Sequence, residues 1–175
     1  GAGCADLVPG ALDVLTGGRA RVVGEGPVSA LSNTTVCDAL EAGIVSLVAH
    51  VHNPIDGALD HHVLLTACTG ADYAVRDPYY NVSSYARGAV ADVLQHELLP
   101  PNALVPVPYR LLKQCDPAWG SDTIHAKTVC AVGCLMSSVS MALRQREIDI
   151  PDASGVMRSA TPGALNAWLL RHAGV

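Results

Sequence analysis

At 175 residues, half of them hydrophobic and only 15% charged, the chain is suited to a globular fold with one sizeable core and not to disorder. Its net charge of -5, with the arginines scattered and no basic stripe, argues against nucleic acid as a partner. No apolar run approaches the roughly 20 residues that span a bilayer. The apolar content is mostly Ala, Val and Leu without any Phe, so packing must rely on aliphatic side chains.

In chain order, the apolar spacing predicts a short helix over Asp6 to Leu15, stopped by Gly17-Gly18, and then a strand over Arg19 to Gly24. Thr34 or Thr35 is an N-cap for a helix through Ala42, with Gly43 as its stop. Val45 to Val51, His61 to Cys68 and Tyr73 to Asp77 read as three successive strands, rich in β-branched residues and broken by Asn53-Pro54 and Thr69-Gly70. Ser83 or Ser84 is expected to cap a helix running to about Leu98. The stretch Leu99 to Pro108 is Pro-rich; Pro106 and Pro108 disfavour a helix or a central strand, so residues 100–108 are read as an extended linker. Beyond it, Cys134 to Leu143 is predicted as an apolar helix entered through Gly133, and Thr161-Pro162 as the start of a helix through Leu170. Residues 1–99 thus form a sheet-bearing half and residues 109–175 a helical half.

Six cysteines, at positions 4, 37, 68, 115, 130 and 134, are more than a reduced cytosolic protein carries without a metal or redox role. Two sequons, Asn33-Thr34-Thr35 and Asn81-Val82-Ser83, lie in turn-like contexts where N-linked glycans would sit on the surface. Together they point to a secreted, oxidised location. The chain begins at Gly1 and shows no signal peptide, so a mature or excised segment is expected. Cys115 with Cys130 and Cys4 with Cys37 are the candidate disulfides, although connectivity is not derivable from sequence; Cys68 and Cys134 are then free thiols or a further pair.

A cysteine nucleophile needs a depressed pKa, which a helix N-terminus and an adjacent imidazole supply, and a donor for the developing oxyanion. Cys134 opens a predicted helix behind Gly133; Gln114 is a side-chain donor, His61 a general base and Asp77 the group that would orient it. The segments Gln114-Cys115-Asp116-Pro117-Ala118-Trp119-Gly120 and Val132-Gly133-Cys134-Leu135-Met136-Ser137-Ser138, with Asp60-His61-His62-Val63-Leu64-Leu65-Thr66 and Tyr73-Ala74-Val75-Arg76-Asp77-Pro78, resemble the bacteriocin-processing type of papain-like cysteine peptidase. The resemblance implies a papain-like α+β fold, a helical half against an antiparallel sheet. It also implies Cys134 as nucleophile, His61 as base, Asp77 as orienter and Gln114 as oxyanion donor.

This chain departs from the family pattern in carrying Leu135-Met136 after the cysteine, Asp60 before the histidine and His62 after it. The largest departure is order, since the family's cysteine half precedes its histidine half. Either a circular permutation or a window cut from a tandem array explains that order, and the array is favoured because the Pro-rich segment then becomes the interdomain linker. The leading expectation is a repeating module of a secreted, glycosylated array or fibre, whose partners are neighbouring copies joined head to tail. The alternative is an active thiol endopeptidase.

Each of these residues also has a plainer role available. Cys134 can be a disulfide, and His61 with Asp77 a hydrogen-bonded pair within the core. His50 and His52 share one strand face and, with His61 or His62, have the side chains for zinc, but no His-Cys spacing matches a structural site, so neither metal nor cofactor is expected. His96, His125 and His172 are expected at the surface, and Trp119 and Trp168 as packing anchors.

Overall fold

A computed structural model describes residues 10–27, 33–43, 45–98 and 109–172. Cys4, the termini and the Pro-rich segment 100–108 lie outside the described residues, as do the expectations made for them. In chain order the elements are α1 (Ala11–Thr16), β1 (Ala20–Pro27), α2 (Asn33–Ala42), β2 (Val45–His52), β3 (Leu59–Thr69), β4 (Asp72–Arg76), β5 (Ser84–Ala86) and β6 (Val90–Leu98). There follow β7 (Thr123–Ile124), β8 (Lys127–Thr128), α3 (Val129–Val132), α4 (Cys134–Gln145), β9 (Asp149–Pro151), β10 (Met157–Ser159) and α5 (Pro162–His172). The class is α+β. Its main sheet has six antiparallel strands in the order β1-β6-β2-β3-β4-β5.

Local chemistry explains most element ends. Gly43 ends α2 with φ 64°, a left-handed conformation that glycine adopts without a Cβ penalty. Thr161 caps α5, its Oγ1 accepting from the Ala164 amide at 3.2 Å, while Pro162 fills the first helical position, where a missing N–H costs nothing.

The helix expected from Ser83 or Ser84 to Leu98 does not form. Residues 84–86 make an edge strand, 87–89 a single 3-10 turn and 90–98 the strand β6. β6 is inserted between β1 and β2, with Asp92 opposite both Pro27 and His50 and Glu97 opposite both Arg21 and Val45. Two ladders of backbone hydrogen bonds outweigh the modest helix preference of a segment whose apolar residues fit either period. Two short hairpins, β7-β8 and β9-β10, were not anticipated either.

The sheet has a core on each face. One face, with Val48 and Leu64, packs against α4, α5 and α1 through Leu135, Val139, Met141, Leu143, Leu165 and Trp168, together with other apolar side chains. The other, with Ala49, Val51, Val63, Leu65, Tyr73 and Val75, packs against Val36 of α2. Among the described residues, the first core therefore draws on both halves of the chain and the second on residues 36–93. Trp168 lies in the first core and Trp119 packs against it, its Nε1 donating to the Lys113 carbonyl at 2.9 Å.

Cys115 is bonded to Cys130, as expected, with Cα atoms 4.2 Å apart. Cys37, however, pairs with Cys68 and not with Cys4. The reason is position: α2 lies across β3, bringing the two Cα atoms to 5.7 Å, within bridging distance.

Candidate active site

The site lies where α4 meets β3. Thr128 caps the single turn α3, accepting from the Ala131 amide at 3.2 Å, and Gly133 then links α3 to α4. A Cβ at Gly133 would lie 2.5 Å from the Val129 carbonyl oxygen and 2.7 Å from Val129 Cγ1, so only glycine allows this entry to the helix. Cys134 is the first residue of α4 and is buried. One turn on, the Ser138 hydroxyl donates to the His62 carbonyl at 3.2 Å and ties the helix to the strand.

Successive residues on a strand point to opposite faces. His62 and Leu64 therefore face α4, whereas His61, Val63 and Leu65 face the second core. His62 Nδ1 stands 3.8 Å from Cys134 Sγ. His61 Nε2 lies 3.0 Å from Asp77 Oδ1. The resemblance assigned the base role to His61, but the structure brings His62 to the sulfur and leaves His61 with the aspartate. The alternation was available in the sequence, since of two adjacent histidines on a strand only one can face the helix; the motif match favoured the first.

Asp77 is the hub of the far face. Its Oδ1 also accepts from the amides of Tyr79 and Tyr80 at 2.8 and 2.7 Å, and its Oδ2 from the Tyr85 hydroxyl at 2.8 Å. Burial alone would raise its pKa, but the His61 hydrogen bond and charge, the Tyr79 amide and the Tyr85 hydroxyl together hold the carboxyl below its ordinary value. An ionised Asp77 is acceptor-only, so His61 Nε2 is the donor in this bond. Tyr85 is shifted upward in turn, by burial first and then by its bond to Asp77. The His61 ring meets Tyr80 edge-on, with centroids 5.0 Å apart.

The near face is different. His62 stacks flat on His50, with centroids 4.5 Å apart and planes 5° from parallel. His50 Nδ1 in turn lies 3.6 Å from Asp92 Oδ2. Burial, followed by the neighbouring His50 and His61, pushes the His62 pKa from 6.5 down to about 3, so the imidazole is neutral at physiological pH. Among the described residues no group of three or more His, Cys, Asp or Glu is arranged to hold a metal ion.

Cys134 is disulfide-bonded in this structure. Gln114 docks on the segment before α4, its Nε2 donating to the Cys130 carbonyl at 2.6 Å, while its buried Oε1 has no partner among the described residues. The Gln114 amide donates to the Pro78 carbonyl at 2.9 Å, and Lys113 Nζ donates to the carbonyls of Asp77 and Tyr80 at 3.1 and 2.7 Å. Sequence reasoning missed this clamp between the halves, as it missed Tyr85, the stacking of His50 on His62 and the place of His62 beside the sulfur.

No family model matches the chain, and no curated protein or solved structure matches it. The functional reading therefore rests on the geometry just described and on the sequence resemblance. Of the other expected positions, Asn81 is exposed in the turn after Asp77, whereas the side chain of Asn33 lies outside the described residues. His125 and His172 are exposed, and His172 stacks on Trp168 at 4.5 Å. The side chain of His96 is outside the described residues.

Proposed function

We propose that this chain is a non-catalytic structural module of a secreted, glycosylated protein, built on a papain-like pairing of helix and sheet and joined head to tail with further copies of itself. The observation that carries the non-catalytic part is the disulfide at Cys134. Thiolate is the nucleophile in this chemistry, and a sulfur held in a disulfide has none to offer. The separation of His61 from the sulfur supports the same reading, because the orienting carboxylate and the sulfur serve different imidazoles. The disulfides Cys37–Cys68 and Cys115–Cys130 fit an oxidising compartment, and the exposure of Asn81 leaves room for a glycan. The head-to-tail part rests on the inverted order of the two halves: in successive copies, the face of α4 that meets β3 here can meet the β3 of a neighbour.

The test is incubation of the protein, without reductant, with an unstructured protein substrate and a thiol-directed electrophile. Neither cleavage nor labelling of Cys134 is expected; cleavage that disappears in Cys134→Ala would defeat the reading. For the repeat, two copies linked head to tail should melt at a higher temperature than one, and identical midpoints would remove that part. The second reading, a thiol endopeptidase using Cys134, His61, Asp77 and Gln114, is favoured by the docking of Gln114 on the approach to α4. It requires Cys134 reduced and His61 beside it.

A further inference from the structure

We propose that the disulfide at Cys134 is a redox latch over a thiol–imidazole pair in which His62, not His61, is the partner of the sulfur. Oxidised, the site is inert; reduced by a dithiol, Cys134 becomes a nucleophile. This goes beyond a structural role, which needs only the oxidised form.

Cys134 opens a helix of 12 residues, so its sulfur sits at the positive end of the backbone dipole, where a thiolate is favoured. His62 is 8% exposed, and the bond recorded for its ring is the one to this sulfur, at 3.8 Å. A disulfide sulfur has no proton to give and accepts only weakly, so the oxidised form makes little use of a buried imidazole. Burying such a polar group without a strong partner is costly, and an apolar side chain would pack there more favourably. A thiol changes that, because it donates to Nδ1. The ring is already set for the role: it stacks on His50 at 4.5 Å, and its backbone carbonyl is held by Ser138 at 3.2 Å.

The chemistry balances in two steps. The dithiol attacks the disulfide and closes to its own cyclic disulfide, giving two electrons and two protons; Cys134 and the sulfur bonded to it leave as thiols. In a later attack on an electrophilic carbon such as that of iodoacetamide, the Cys134 proton passes to His62 Nδ1, the sulfur forms the new carbon bond, and iodide departs with the old bonding pair.

The groups facing His62 are His50 from β2 and Cys134 from α4, with Asp92 of β6 beside His50 and His61 next in the chain on the opposite face of β3.

The experiment exposes the native protein to graded dithiothreitol, pulses it with iodoacetamide and maps the alkylated cysteines by mass spectrometry, with circular dichroism reporting the fold. Without reductant Cys134 should stay unlabelled. At dithiothreitol levels that leave the fold intact it should be alkylated, at a rate at least tenfold slower in His62→Gln and within twofold of wild type in His61→Gln. Labelling without reductant, protection of Cys134 until the protein unfolds, an unchanged rate in His62→Gln, or a loss that follows His61→Gln would each overturn the proposal. Should His62→Gln fail to fold, His62→Asn measured in the same way decides: a rate at least tenfold below wild type upholds the pair and an unchanged rate overturns it.

Discussion

On one face of β3, His61 belongs to a network whose members all donate or accept strong hydrogen bonds; on the other, His62 stands between a second imidazole and a sulfur held in a disulfide. Both rings are buried, and they are adjacent in the chain. Burial by itself therefore did not set their chemistry. The far face supplies a carboxylate already stabilised by two amides and a tyrosine, so it keeps its charge inside the protein. The near face gives His62 no carboxylate of its own, and its ring is driven to the neutral form.

The comparison is most strongly tested at Asp77. Replacing it with Ala leaves the His61 ring, the Tyr85 hydroxyl and the amides of Tyr79 and Tyr80 without their acceptor. Loss of roughly 3 to 5 kcal/mol is expected in denaturant unfolding, the range for breaking a buried charged network. A loss under about 1 kcal/mol would mean that water replaces the carboxylate and that the network does not stabilise the far face.

Next is acid. The folded pKa of His62, about 3, lies below its ordinary 6.5, so the unfolded chain binds this proton more readily. Stability is then complete above about pH 6.5 and falls as the pH drops toward 3, by an amount on the order of a few kcal/mol. Asp77 is also depressed, and its contribution is lost only at still lower pH, from about 3.8 downward. Urea unfolding at a series of pH values should show the first loss in wild type but not in His62→Gln, with the second kept in both. If the two proteins fall in parallel between pH 6.5 and 4, His62 is not the group responsible.

The smallest effect is expected at the entry to α4. Gly133→Ala places a Cβ against the Val129 carbonyl, and the neighbouring backbone must shift at a cost of roughly 1 to 3 kcal/mol. The His61 side should not sense it. Chemical shifts of the two imidazoles, followed by NMR, should move for His62 and remain in place for His61; equal movement would show that the two faces are coupled through β3.

Much of this was legible in the chain. Gly43, Gly133 and Thr161-Pro162 marked helix boundaries through backbone preferences that act locally, and the β-branched runs marked β2, β3 and β4 for the same reason. The pairing of Cys115 with Cys130 spans only 15 residues within one half. By contrast, the segment 90–98 has no decisive period, and its strand state comes from being hydrogen-bonded on both sides. The link from Cys37 to Cys68 depends on how α2 lies across the sheet, and the stack of His62 on His50 depends on the register of β2 against β3.

By itself, then, the sequence determined an α+β chain with a cysteine at the start of an apolar helix, paired histidines on a strand and an Asp-Pro turn beyond them. Those features follow from propensities and spacings that act over a few residues. Only the tertiary structure decided which histidine meets the cysteine. That outcome depends on which face of β3 α4 covers, and the choice is made by two apolar cores competing for the two sides of one sheet.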